Sequence, residues 1–292
     1  MVTEQALAKI NLALHVTGQR ADGYHLLDSL VVFAGVGDVL HASLADTTSL
    51  TLAGPFGADI PNDKTNFVAR AAALFSPRQG IAFTLQKHLP PASGIGGGSA
   101  DAAAAIRAIL KLHAERVGAP PKEPFPDAVL SLGADVPICL MSRPARMRGI
   151  GDEVTTIKCP KCWITLVNPR VEVPTPQVFA RLATKTNAAM PEVLPDWPDA
   201  ATLADWLQGQ RNDLEAPALV IAPVIADVLA ALRAHPGSLI ARMSGSGATC
   251  FALSDSQDKA EAIADALRAA NPAWWVAASV VFPGVVAPPR IS

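Results

Sequence analysis

The chain has 292 residues, half of them hydrophobic, and a formal charge of −2 at pH 7. That length is enough for two ordinary domains with ample core, and no apolar run reaches the roughly 20 residues that span a bilayer. The small net charge speaks against nucleic acid as a bulk electrostatic partner, and the N-terminus lacks the basic-then-apolar pattern of a secretory leader, which predicts a cytoplasmic chain.

The first strand is predicted over residues 9–16. Ile10, Leu12, Leu14 and Val16 share one face, and Lys9, Asn11, Ala13 and His15 share the other. A lysine on such a strand is either an edge guard against aggregation or a placed cation, and spacing leaves both open. Asp22-Gly23-Tyr24-His25 signals a turn and holds the only tyrosine. It is either a decorated hairpin turn or a ring beside an imidazole that could clasp a planar base. Strands are predicted over 26–33 and 39–44, and a helix over 66–74.

Ile81, Phe83 and Leu85 then alternate with polar or small neighbours, the period of a half-buried strand. It runs into Leu89-Pro90-Pro91-Ala92-Ser93-Gly94-Ile95-Gly96-Gly97-Gly98-Ser99-Ala100-Asp101. Beyond it, Ile106, Ile109, Leu110, His113 and Val117 follow helical spacing, with Gly118 and two prolines as the stop. Strand, glycine loop and helix N-terminus together suit a phosphate, because close-approaching amides and the helix dipole favour an anion. A Walker loop would need Gly-Lys-Ser/Thr at its end, and Ser99 follows Gly98 directly. A dinucleotide loop would need a third glycine where Ser99 stands. The plain alternative is a flexible connector.

A short helix is predicted over 126–132, closed by Gly133. Asp135 follows, ahead of Pro137 and an apolar run at 138–141. A carboxylate entering a core is costly unless it caps amides or faces a cation, and both readings stand. Cys159-Pro160-Lys161-Cys162 has zinc or redox spacing. A structural zinc site wants a second pair, however, and Cys139 and Cys250 are isolated, so the plain reading is a turn entering a strand at Trp163. Such cysteine usage suits a reducing compartment.

The rest reads as a strand at 163–167, a helix capped by Thr175-Pro176, an irregular 190–200, a short helix at 203–207 and a helical 216–234 interrupted by Pro217 and Pro223. Strands at 239–243 and 249–253 flank Ser244-Gly245-Ser246-Gly247, which reads more readily as a tight hairpin than as a ligand wall. A helix at 257–269 and a strand at 275–282 complete a split βαβ order.

The loop from Pro90 to Ala100 resembles the phosphate loop of the GHMP kinases, a family that includes galactokinase and homoserine, mevalonate and phosphomevalonate kinases. Further runs carry the likeness: Ala8-Lys9-Ile10-Asn11-Leu12, Gly18-Gln19-Arg20-Ala21-Asp22-Gly23-Tyr24-His25, Leu132-Gly133-Ala134-Asp135-Val136-Pro137, Pro174-Thr175-Pro176 and Asn212-Asp213-Leu214. The run ending in Tyr24-His25 is similar to the branch whose substrate is a cytidine-diphosphate ester of methylerythritol.

The resemblance implies an α+β, two-domain GHMP kinase fold. Residues 1–157 would form an N-terminal α/β domain for ATP and catalysis, and 158–292 a C-terminal ferredoxin-like split βαβ domain for substrate. The implied reaction is ATP-dependent phosphorylation of that ester's 2-hydroxyl, in non-mevalonate isoprenoid precursor biosynthesis, with ATP as co-substrate and Mg²⁺ as its companion. Asp135 would take or orient the hydroxyl proton, with Lys9 beside it offsetting phosphoryl charge. Asn11, Tyr24, His25, Thr175 and Phe179 would bind substrate. Asn66, Lys87 and Pro90, Pro91, Ala92, Ser93, Gly94, Ile95, Gly96, Gly97, Gly98, Ser99 and Ala100 would bind ATP. No metal ligands or oligomeric state are implied, nor any nucleic-acid or membrane partner. The loop departs from relatives in Ala92-Ser93 and in Ala100-Asp101, which places an acid within a turn of the phosphates. A GHMP kinase for another alcohol and a non-catalytic nucleotide-binding module are the alternatives.

Overall fold

The computed structural model describes residues 1–75, 80–117 and 126–282. The helix stop expected at Gly118 lies outside them. Two compact units interleave along the chain. The first takes Met1–Ala8, Gly37–Pro91 and Gly96–Ser142, and the second takes Lys9–Val36, Ala92–Ile95 and the residues from Arg143 onward. The compact units therefore do not follow the expected linear cut at 157/158, because β1 (Val2–Gln19) and β2 (His25–Ala45) each run through both. No described helix is long and apolar enough to cross a membrane.

β2 is one long strand where the sequence suggested two. Its backbone stays extended through Gly35 and Gly37, and a Cβ at Gly37 would collide with the Ala6 carbonyl. Glycine here marks close backbone approach instead of a break.

In the first unit, β2 pairs antiparallel with β4 (Gly80–Gln86), from Val39 opposite Gln86 to Ala45 opposite Gly80. β3 (Ser49–Ala53) adds in parallel on the other side of β4. The unit also holds α1 (Phe67–Phe75), α2 (Gly97–Val117), α3 (Pro126–Leu132) and α4 (Val136–Met141). Ala102 to Ala105, Ile106, Ala108, Ile109 and Leu112 of α2 are buried. Small side chains let the neighbouring elements come close to the helix axis. Arg107 fastens α2 to its surroundings, donating to Glu4, to the Gln5 carbonyl and to the Cys139 carbonyl at 2.9, 2.6 and 3.0 Å.

The second unit contains β7 (Trp163–Asn168), β8 (Ile240–Met243), β9 (Cys250–Ser254) and β10 (Trp275–Phe282), hydrogen-bonded in the order β10-β7-β9-β8, all antiparallel. With α8 (Val224–Ala234) and α9 (Gln257–Ala270) between strands, this is the split βαβ order expected from sequence. The end of β10 pairs with β2 at Ala34 and Phe33.

β5 (Ala145–Gly149) and β6 (Glu153–Thr156) were not visible in the sequence. Arg146 of β5 points inward, forking onto Asp28 with two 2.7 Å bonds and donating to the Met190, Pro191 and Glu192 carbonyls. An inward arginine erases the alternation by which a strand is recognised. α5 (Thr175–Ala180) is flanked at its start by Pro174, so Thr175 is its first residue and not its cap. α6 (Ala200–Gln208) is capped by Asp199, which accepts from the Thr202 amide. The helical stretch after 215 breaks at Pro223 into α7 (Glu215–Ile221) and α8.

Candidate active site

The glycine loop has its φ angles in the left-handed region at alternate residues: Ala92 at 47°, Gly94 at 74° and Gly96 at 65°. Alternating backbone of this kind turns successive N–H groups toward one side, forming a concavity suited to an anion. Gly96 precedes α2, its carbonyl accepting the Ala100 amide at 2.9 Å. The amides of Gly97, Gly98 and Ser99 then lie in the first turn, where no intrahelical acceptor exists. A Cβ at Gly98 would stand 2.7 Å from the Phe67 ring, so this glycine is set by helix packing.

Within the second unit the front of the loop is bound by neutral hydrogen bonds. The Lys9 amide donates to the Ile95 carbonyl at 2.9 Å, and the Thr249 amide to the Ser93 carbonyl at 3.1 Å. Ser244 accepts from the Asn11 amide at 3.1 Å and donates to the Gly94 carbonyl at 3.2 Å. The Ser244–Gly247 run does join β8 to β9, as the hairpin reading held. It also backs the glycine loop, since a Cβ at Gly94 would meet the Gly247 and Ser244 carbonyls at 2.6 and 2.7 Å. Asn212 steadies that run through the Met243 and Gly245 carbonyls, at 2.8 and 2.9 Å.

Within the first unit the back of the loop rests beside buried charge. The Lys87 ammonium donates to Asp38 at 2.5 Å and to Asp101 at 2.8 Å, and all three side chains are buried. Asp38 also accepts the His88 and Leu89 amides at 2.6 and 2.8 Å. A Cβ at Gly97 would lie 3.1 Å from the Lys87 nitrogen, so the cation sits directly behind the first turn of α2. Burial pushes the Asp101 carboxyl up, Lys87 pulls it back in part, and Asp38 raises it further, to about 7. For Lys87, burial acts downward, but the fields of Asp101 and Asp38 outweigh it and the ammonium is held above its ordinary range. The acid at 101 therefore faces Lys87, and its second oxygen has no hydrogen-bond partner. Asp38 carried no signal in the sequence, and although Lys87 and the acid at 101 stand out there, nothing in their spacing shows that the three meet.

Asn66 is nearly buried and caps α1, accepting from the Val68 amide at 2.9 Å and donating to the Pro61 carbonyl at 2.8 Å. Asp135 precedes α4, and its side chain makes no capping bond to that helix. A Cβ at Gly133 would lie 3.5 Å from the Ser99 hydroxyl, so the turn leading to Asp135 stands beside the first turn of α2.

The second unit carries the other expected residues. Lys9 is only 5% exposed, which excludes the edge-guard reading. Asn11 is buried, and its amide donates to Ser29 at 2.7 Å. Ser29 sends its one proton to the Ala13 carbonyl at 2.7 Å, so Asn11 must be the donor of that pair and the amide orientation follows. The Asn11 carbonyl oxygen is left without a partner. His25 stacks on Phe179 with ring centroids 4.6 Å apart and 26° between planes. Burial, and then the nearby Lys185 charge, push the His25 imidazole down, which keeps it neutral at pH 7. Tyr24 stands 61% exposed on its turn. The structure thus joins His25 to Phe179 directly, where Phe179 had been expected as a second wall for a base. The Thr175 hydroxyl is 2.7 Å from that of Ser246.

Residues 66–143 match the family model "GHMP kinases N terminal domain", and residues 188–273 match "GHMP kinases C terminal". A protein of Cereibacter sphaeroides named 4-diphosphocytidyl-2-C-methyl-D-erythritol kinase is 55% identical over 93% of this chain and 96% of its own. The chain belongs to the GHMP kinase family. A Ruegeria pomeroyi relative of the same name is 54% identical over the same shares of both chains. A crystal structure of 4-(cytidine 5'-diphospho)-2C-methyl-D-erythritol kinase, 30% identical, superposes with a TM-score of 0.76 over 96% of this chain and 98% of that one. An L. major mevalonate kinase crystallised with R-mevalonate shares the fold at 16% identity, with a TM-score of 0.60. This GHMP kinase accordingly has the family's two-domain α+β fold and is a kinase using ATP as co-substrate.

Proposed function

We propose that this GHMP kinase transfers the γ-phosphoryl group of ATP to the 2-hydroxyl of 4-diphosphocytidyl-2-C-methyl-D-erythritol. The observation that carries the reading is likeness along nearly the whole chain, 55% identity to a relative of that name, together with the Gly18–His25 run that suits a pyrimidine. Loop amides from Ala92 to Ser99 hold the phosphates, with the Lys87 cation behind Gly97 supporting the first turn of α2. Asp135 orients the acceptor hydroxyl and receives its proton as the phosphoryl group leaves ATP, and Lys9 offsets charge on that group. The unpaired Asn11 carbonyl oxygen accepts from a substrate hydroxyl. Neutral His25 presents a ring nitrogen to the edge of the cytosine, Tyr24 and Phe179 supply aromatic faces, and Thr175 meets the polar tail.

Among the described residues no three acidic, histidine or cysteine side chains form a metal cage, and Asp101 is engaged by Lys87. A resident metal site does not fit this arrangement. Mg²⁺ would enter on the ATP phosphates, which is how such an ion is commonly held.

Steady-state assay of Asp135→Ala should show kcat down by roughly 10² to 10⁴ with ATP binding kept, the size expected of a general base. Unchanged turnover would remove Asp135 from the chemistry, and ATP binding without turnover on any alcohol in the wild type would leave only a binding module. Tyr24→Ala should raise KM for the cytidylyl substrate several-fold and leave KM for ATP near its wild-type value. Equal increases in both would mean that the base lies elsewhere.

A further inference from the structure

Cys159-Pro160-Lys161-Cys162 has no part in the kinase reading. It lies in the second unit, on the connection between the end of β6 at Thr156 and the start of β7 at Trp163. Both thiols are free, Cys162 fully buried and Cys159 half-buried. The Cys159 side chain is near enough to be the largest influence on Cys162, and that influence, followed by burial, pushes the Cys162 thiol far up. The Cys162 carbonyl accepts the Val281 amide of β10 at 2.9 Å, and Pro160 fixes one backbone angle of the turn. The far end of the turn is therefore anchored and buried, while the near cysteine is only half-buried. No third ligand joins them in a metal-binding group among the described residues.

We propose that Cys159 and Cys162 are a thiol–disulfide modification site that closes to an intrachain disulfide by exchange with an oxidised low-molecular-weight thiol such as glutathione disulfide. The accessible Cys159 loses its proton to water, and its sulfur attacks one sulfur of the small disulfide, releasing one reduced thiol and leaving a mixed disulfide. Cys162 then loses its proton and attacks the Cys159 sulfur, releasing the second thiol. Two protein thiols are oxidised and one external disulfide is reduced to two thiols. The neighbouring Cys159 thiol is the largest influence holding the Cys162 thiol up, and the mixed disulfide removes that thiol before Cys162 must react. Cys139 and Cys250 are buried and stand outside the motif, and serve as internal controls.

The native protein is incubated with glutathione disulfide, read by intact mass, then blocked with iodoacetamide and read by tryptic mapping. Trypsin cuts after Lys158 and Lys161, so Cys159 and Cys162 fall on separate peptides. Read before blocking, the expected intact mass is two hydrogens below that of the untreated protein, and after blocking the map should show Cys159-Pro160-Lys161 covalently joined to the peptide that begins at Cys162. Cys162→Ser should stop at a glutathione adduct on Cys159, and Cys159→Ser should take up none. A lasting adduct on Cys159 of the wild type, or a wild type with both thiols unreacted, would overturn the proposal. Should a variant fail to fold, the wild-type mass and map decide alone.

Discussion

The two ends of the glycine loop are secured by opposite physics. Residues 92–95 are tied by neutral hydrogen bonds to the Lys9 amide, Ser244 and Thr249. Residues 96–100 run into a helix whose first turn rests beside the buried Asp38–Lys87–Asp101 ions. Neutral bonds add modest free energy each and respond to neither acid nor salt. Buried ions are held by one another, so removing a single member leaves the rest unpaired in a poorly solvating interior. The loop's geometry is therefore protected twice, and only one of the two supports senses protons.

Lys87→Met should have the largest effect, because it strands two buried carboxylates. A loss of about 3–5 kcal/mol is the usual scale for breaking a buried pair from one side. Urea unfolding measures this, and a loss below 1 kcal/mol would show that the carboxylates find other partners. Ser244→Ala comes next, at about 1–3 kcal/mol, the cost of leaving the Gly94 carbonyl and Asn11 amide unsatisfied. Its effect should be the same at pH 5 and pH 8; a pH-dependent effect would erase the contrast between the two ends.

Asp101→Asn should change little at one pH but should alter the slope. The folded Asp101 carboxyl is raised above its unfolded value, so the folded state holds a proton that the unfolded chain has lost. The associated stability is present below the unfolded pKa, near 4, and is lost as pH rises through about 7. Wild-type stability should decline across that window with a slope that the asparagine variant lacks, read from urea unfolding at a series of pH values. Parallel curves for the two proteins would show that Asp101 does not carry the proton.

Much of this was legible because it rests on local rules. The final strand at 275–282 coincides with the structure, and the helix expected at 257–269 runs one residue further, to Ala270, because such elements rest on short-range signals. The glycine loop between strand and helix could be read because its glycines answer to backbone geometry within a few residues. Lys9 was harder to read. A lysine on a strand has two meanings, and only its burial separates them. Arg146 hid β5 altogether, because it is paired with Asp28 from another part of the chain. Asp101 looked like a repulsive acid beside phosphates until Lys87 was seen to face it.

The sequence by itself determined the split βαβ order of the later half, the strand–glycine-loop–helix unit and the likeness to the family, because periodicity, glycine and proline act through neighbouring residues. Only the tertiary structure decided that β1 and β2 each serve two units, that Ser244 backs Gly94, that Asn11 keeps one unpaired oxygen, and that Lys87 lies between Asp38 and Asp101. Each of these depends on groups tens to hundreds of residues apart, where hydrogen bonding, burial and charge are set by proximity in space and leave no pattern along the chain.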